Sequence, residues 1–230
     1  MKIPIILQAR VGSTRLKGKA LKSILGKPML YYIIERLSIP ANSFVVLAIP
    51  ETEENEPLCE IAKQMGVECV KGSEEDVLSR YFKAAQMFPS PFYIRATADN
   101  PLVDFQAVDR LINYMLTHYV DYAVEKGMPK GGAVEIFTDK ALELSHRLAV
   151  RERDREHVTL FMKREKRLFR CAYPPVPSEL YYPNLSITVD YEKEFDFAKK
   201  IYEKYYIEGK PFKLSKIINK IAKEVGVEKG

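Results

Sequence analysis

Apolar residues recur along this chain in two alternating rhythms. Short β-branched runs at 3–7, 44–49, 67–70 and 92–96 read as strands. Between them, the segments 28–37, 56–65 and 76–87 carry apolar residues at spacings of three and four and read as amphipathic helices. Strands that alternate with helices predict a mainly parallel sheet covered on both faces. In such sheets ligands gather at the carboxyl ends of the strands, which directs attention to the loops after Leu7 and Ala96.

Beyond residue 120 the rhythm loosens. Segments 121–125 and 133–138 read as strands flanking the turn "KGMPKGG", and 139–166 is highly charged and mostly helical. The proline-rich stretch "YPPVPSELYYPN" is a connector that cannot be regular helix. A strand "SITVD" at 186–190 follows, then a helix over 192–206. The last segment, 211–230, reads as an amphipathic helix with Leu214, Ile217, Ile218, Ile221 and Val225 on one face. Its lysines would suit a membrane surface, but packing on its own domain is the expectation. No internal repeat interrupts 1–230, which reads as one domain.

At 230 residues, 47% hydrophobic and 29% charged, the chain can build one large α/β core. The net charge of +5 sets 36 basic residues against 31 acidic ones, too mixed for a nucleic-acid partner. Cys59, Cys69 and Cys171 are odd in number and lack CxxC spacing, which argues against a zinc site or disulfides and for a reducing, cytoplasmic location. The apolar run at 3–7 is too short for a signal peptide or a membrane span, and no later run is long enough.

Candidate chemistry begins directly after the first strand, in "QARVGSTRLKGKAL". Five residues separate Gly12 from Gly18 and Ala20 follows Lys19, so this is not the mononucleotide phosphate loop, and GxGxxG is absent. Its glycines nevertheless allow backbone N–H groups close to an anion, Ser13 and Thr14 offer hydroxyls, and Arg10, Arg15 and Lys19 add charge. The residues themselves stop at a polyphosphate or other anion, with a solvated basic loop as the alternative.

This loop, with the following "GKPMLYYIIERL", resembles the signature of the cytidylyltransferases that activate acidic sugars to CMP-sialic acid or CMP-3-deoxy-manno-octulosonate. The closer likeness is to the branch named after spore coat polysaccharide biosynthesis protein F. Lys17 stands where that family usually has proline, which bears on loop stiffness. The resemblance implies that Arg10, Ser13, Arg15 and Lys19 embrace the triphosphate of CTP, with backbone at Ala9 and Gly12 near the base.

Two aspartates, Asp99 in "YIRATADNPLVD" and Asp190 in "SITVDYEKEFDF", each follow a predicted strand. Either could cap the next helix, although Asp104 is better placed to do so for the first. Beside a triphosphate loop, such a pair suits Mg²⁺, which takes one or two carboxylates plus phosphate oxygens. In the family these positions hold the catalytic metal. "KGSEEDVLSR" has the form of a capping box, with Ser73 the cap and Asp76 the third position. It also resembles the family segment that would bring Ser73 and Arg80 to the cytidine. "PKGGAVEIF" and "RERDREHVTLF" resemble sugar-pocket segments, nominating Glu135, Arg155 and His157. Without that likeness His157 reads as an ordinary surface or core residue, and the scattered histidines suggest no metal site.

The implied fold is a single mixed, mainly parallel Rossmann-like α/β domain of the nucleotide-diphospho-sugar transferase type. Residues 120–185 are the expected seat of the sugar pocket and of homodimer contacts. The implied reaction joins CTP to an acidic sugar, giving CMP-sugar and pyrophosphate, with Arg10, Arg15, Lys19, Asp99 and Asp190 catalytic and Mg²⁺ as cofactor. Neither nucleic acid nor membrane is an expected partner. The alternatives are a related nucleotidyl- or glycosyltransferase using another nucleotide, and a non-enzymatic anion-binding surface that leaves Asp99 and Asp190 without a role.

Overall fold

The computed structural model describes residues 2–229. The chain opens with β1 (Ile3–Gln8), then a small hairpin, β2 (Ser23–Ile24) and β3 (Lys27–Pro28), that leads into α1 (Met29–Leu37). Next come β4 (Ser43–Pro50), α2 (Glu56–Gln64), β5 (Glu68–Gly72), α3 (Val77–Met87), β6 (Phe92–Thr97) and α4 (Gln106–Thr117). This half follows the apolar rhythm closely, because each strand and helix has an apolar face that only a two-sided sheet can bury.

The second half adds β7 (Tyr122–Val124), β8 (Glu135–Thr138), α5 (Asp139–Leu148), α6 (Glu152–Glu156), α7 (Leu160–Arg164), β9 (Cys171–Ala172), α8 (Glu192–Tyr205) and α9 (Leu214–Glu224). The seven-stranded sheet has the order β5-β4-β1-β6-β8-β7-β9. Only β8 runs against the others, pairing antiparallel with β6 and β7. Successive β1 residues feed opposite layers. Ile5 and Leu7 pack with α1, α4 and α9, whereas Ile6 packs with Tyr81 of α3 and Leu142 of α5.

Three expectations are corrected. Residues 186–190 are extended but add no strand to the sheet, because β8 already occupies the β6 edge. They pair beyond it, Ile187 N–H donating to Lys130 O (2.8 Å) and Val189 N–H to Asp99 O (2.8 Å). The 139–166 stretch is mostly helical, as its sequence predicts, in three helices broken after Leu148 and again at Val158, a buried β-branched residue in the left-handed region (φ 49°). Val225 lies beyond the end of α9 and is 44% exposed, while Leu214, Ile217, Ile218 and Ile221 are buried against the protein's own core. Cys59 and Cys69 form a disulfide: α2 and β5 are joined by a tight turn through Gly66 that brings their Cα atoms to 5.6 Å. The cysteine argument for a reducing compartment therefore falls, and Cys171 is the free thiol.

Arg36 of α1 is fully buried. Its Nε and Nη2 donate to Val103 O (2.9 and 2.8 Å) and its Nη1 to Phe212 O (2.9 Å), tying the C-terminal segment to the loop after β6. Burial lowers its pKa. Among the described residues no helix is long and apolar enough to cross a membrane.

Candidate active site

A cleft of about 370 Å³ opens at the carboxyl ends of β1 and β6, where the sheet topology directs ligands. One wall is the loop after β1. Val11 N–H donates to Asn55 Oδ1 (2.8 Å), and the N–H groups of Ser13 and Gly18 both reach Val11 O (2.7 and 3.0 Å), which folds the loop back on itself. Gly18 holds φ 67°, turning the chain so that Lys19 points inward.

Lys19 is the pivot of the site. Its Nζ donates to Val189 O (2.7 Å) and Asp190 Oδ1 (3.2 Å) and lies 3.8 Å from Asp99 Oδ2. Arg15 Nη2 lies 3.0 Å from Asp190 Oδ1, and Lys130 Nζ lies 3.8 Å from Asp190 Oδ2. Neither aspartate is a helix cap. Glu194 Oε2 accepts the N–H groups of Asp190 (2.6 Å) and Tyr191 (3.0 Å) at the start of α8, which leaves the Asp190 carboxylate for the cleft. Asp99 Oδ1 accepts the Thr97 hydroxyl (2.5 Å).

Gly131 lets the 130–132 turn approach this segment. With φ +93°, a Cβ there would lie 2.6 Å from Thr188 N, so any side chain would collide with the 187–188 backbone that leads to Asp190.

On the α3 side, Arg80 lines the cleft although it is only 2% exposed. Nη1 donates to Ser73 O (2.8 Å), Nε has no hydrogen-bond partner, and burial together with the Arg10 charge brings its pKa down to about 10. Asp76, not Ser73, caps α3, accepting from Ser79 N–H (2.9 Å); the Ser73 hydroxyl accepts from Asp76 N–H (3.0 Å). Arg155 grips Asp76 Oδ2 (Nε 2.7 Å) and the Ser79 hydroxyl (2.8 Å), and its Nη1 reaches the carbonyls of His146 and Ala149 (3.1 and 2.9 Å). Burial would raise the Asp76 pKa, but these bonds outweigh it and lower it.

Glu135 heads a buried network behind the cleft. It accepts from Arg95 Nη1 (2.6 Å), Lys163 Nζ (2.9 Å), the Thr159 hydroxyl (3.0 Å) and the Tyr122 hydroxyl. Burial by itself would raise its pKa; the Arg95 and Lys163 cations and the Tyr122 bond prevail and hold it at about 2.

Of the residues singled out in the sequence, Ala9, Arg10, Ser13, Arg15, Lys19, Arg80, Asp99 and His157 line the cleft, and Asp190 adjoins it through Lys19 and Arg15. Gly12 sits near the rim, where a Cβ would be 3.2 Å from Glu54 Oε1. Ser73, Glu135 and Arg155 stand behind the lining rather than in it. His157 is half exposed, 3.9 Å from Glu156. Sequence reading missed Arg95, Thr97, Lys130 and Thr188, all in the lining. A signal existed for Arg95, a charge inside the strand run "FYIRAT".

Asp99 and Asp190 already share one cation, the Lys19 ammonium. Two carboxylates converging on a single positive charge in an open cleft is a donor set that fits Mg²⁺ with phosphate oxygens completing its shell. The family profile of cytidylyltransferases matches residues 4–218. The chain belongs to the cytidylyltransferase family. It is similar to the spore coat polysaccharide biosynthesis protein SpsF of Bacillus subtilis, at 29% identity over 88% of this chain and 87% of that protein. A 3-deoxy-manno-octulosonate cytidylyltransferase of Geobacter metallireducens is 31% identical over 49% of this chain and 44% of its own. A solved cytidylyltransferase of Leptospira borgpetersenii superposes with a TM-score of 0.88 at 26% identity, covering 98% of this chain and 96% of that one. Membership in the cytidylyltransferases accounts for the mixed, mostly parallel sheet.

Proposed function

We propose that this cytidylyltransferase couples CTP to an acidic sugar, giving a CMP-sugar and pyrophosphate for surface polysaccharide synthesis. The observation that carries this reading is the single ammonium of Lys19 held between Asp99 and Asp190 at the base of an arginine-lined cleft. The named activity of the octulosonate cytidylyltransferase relative and the pathway of the spore coat relative support the substrate class.

In this scheme the anomeric hydroxyl of the sugar attacks the α-phosphorus of CTP. A new O–P bond forms, the α–β anhydride bond breaks, pyrophosphate leaves, and the hydroxyl proton is lost to solvent. Arg10, Arg15 and Lys19 balance the charge gathering on the leaving pyrophosphate. Asp99 and Asp190 would hold Mg²⁺, which would supply positive charge to offset that of the triphosphate. For the nucleotide to bind, Lys19 and Arg15 exchange carboxylate for phosphate. Their present contacts of 3.0–3.8 Å are loose enough to allow it. Arg80 and backbone near Ala9 and Gly12 take the base side, with Ser73 orienting Arg80 through its carbonyl. His157 lies toward the sugar, with Arg155 and Glu135 bracing that wall. The protein's part is positioning and charge stabilisation.

The test is thermal unfolding with CTP, UTP, GTP and ATP, each with and without Mg²⁺, followed by pyrophosphate release from CTP and a panel of acidic sugars. A ligand at about 100 times its dissociation constant stabilises by about 2.7 kcal/mol. The expected result is a Mg²⁺-dependent shift for CTP alone and turnover with at least one sugar acid. An equal shift for UTP or ATP, or CTP binding with no sugar acid converted, rejects the assignment.

A further inference from the structure

The cleft contains a cation that the phosphate loop and the paired aspartates do not explain. Arg95 sits in β6, opposite Ile6 of β1 on one side and Glu135 of β8 on the other. Its side chain is on the same face of the strand as Thr97, and it lines the cleft. Nη1 is fixed on Glu135, whereas Nε is buried and without a hydrogen-bond partner. Glu135 also holds Lys163, so one carboxylate faces two cations and the cluster keeps a net positive charge. Of those two cations only Arg95 lines the cleft. A guanidinium held by a protein carboxylate through Nη1 alone, in a side chain that still lines the cleft, keeps further N–H donors for a planar anion, and carboxylate matches its fork.

We infer that Arg95 binds the carboxylate of the acceptor sugar, and that Glu135 is the residue that positions it. The inference rests on the acidic-sugar reading above. The triphosphate has Arg10, Arg15 and Lys19 on the β1 side of the cleft, while Arg95 lies one strand further toward β8, in a lining that also includes His157. Glu135 meets no lining position of its own and touches four donors, which suits a residue acting through Arg95. The inward turn at Val158 serves the same arrangement. It sets His157 at the cleft and the Thr159 hydroxyl on Glu135, from adjacent residues on either side of a left-handed position.

The experiment compares wild type with Arg95→Met in pyrophosphate release and in direct CTP binding. The acceptors are 3-deoxy-manno-octulosonate and N-acetylneuraminate, each beside its neutral 1-amide. Arg95→Met is expected to raise the KM of the converted acid by 30-fold or more and to leave CTP affinity within twofold. It should also bring the preference for acid over amide close to one, a readout that a merely structural role would not move. Glu135→Gln is expected to raise the same KM by a smaller factor, about tenfold, and to leave part of the acid preference. A variant that binds CTP poorly yet keeps its KM for the acid and its acid preference would put Arg95 on the nucleotide and overturn the inference. If wild type converts neither acid although it binds CTP, the acidic-sugar reading fails, and this inference with it. Arg95→Met leaves Glu135 short of a partner. The double variant Arg95→Met/Glu135→Gln removes cation and carboxylate together, and its melting midpoint establishes folding before kinetics are compared.

Discussion

The two walls of the cleft handle charge in opposite ways. The loop after β1 carries an exposed Arg15 and a mostly buried Lys19 that share Asp99 and Asp190 through contacts of 3.0–3.8 Å. The β6–β8 wall encloses Arg95, Glu135, Thr159 and Tyr122 in bonds of 2.5–3.0 Å around one buried carboxylate. The first arrangement can exchange partners when an anion arrives; the second holds its geometry before anything binds. Loose pairing is suited to a triphosphate that enters and leaves as pyrophosphate, and rigid pairing to a group that must be read for identity.

Breaking the loose wall should affect turnover and spare the fold. Asp99→Asn keeps the size of the side chain and removes half of the carboxylate pair. We expect kcat to fall on the order of 10³-fold with a melting midpoint near that of wild type, checked by pyrophosphate release and a thermal melt. Near-native activity would remove Asp99 from the metal assignment. Lys19→Met deletes the shared cation, and a loss of about 10²-fold in turnover is expected, in line with the removal of one charge-stabilising donor. Because Asp190 is only 5% exposed, that variant should also melt somewhat earlier.

The rigid wall should respond in stability. Glu135→Gln leaves Arg95 and Lys163 without their carboxylate, and about 3 kcal/mol of stability should be lost, read as an earlier melt. The pH dependence sharpens the contrast. The Glu135 pKa is lowered from the usual value near 4.5 to about 2, so the unfolded chain binds the proton more readily. Its contribution is complete above about pH 4.5 and is lost as pH falls toward 2, so wild-type and Glu135→Gln midpoints should converge over that window. A gap that stays constant would show that the carboxylate's charge is not what stabilises the wall.

The smallest effect on catalysis is expected far from both walls. Reducing the Cys59–Cys69 bridge opens a short loop between α2 and β5 and should cost about 3 kcal/mol or less, with kcat within twofold of the oxidised protein. A large loss of activity on reduction would mean that the β5 edge is coupled to the cleft.

Much of the first half of the fold was legible because its signals are local. Short, mostly apolar runs in β1, β4 and β6 and helical spacing in α1 and α3 each fit within a dozen residues, and the loop "QARVGSTRLKGKAL" advertises its own chemistry. The segment 186–190 shows the limit. It has a strand's composition, yet β8 had taken the edge it would need, a fact set by residues some fifty positions away. The disulfide was unreadable for a related reason: Cys59 and Cys69 are ten residues apart in sequence, and only the packing of α2 on β5 turns that spacing into a bond.

What the sequence determined by itself was the class of fold, the basic glycine-containing loop after β1 and the aspartates worth watching, since periodicity, turn glycines and residue type act over short stretches of chain. Tertiary structure alone decided which charges meet. Lys19 reaches Asp190 across 171 positions, and Arg95 meets Glu135 only because β8 runs antiparallel to β6 in one register. Electrostatic partners in a folded protein are chosen by distance in space and by burial, and neither quantity is written in the order of residues.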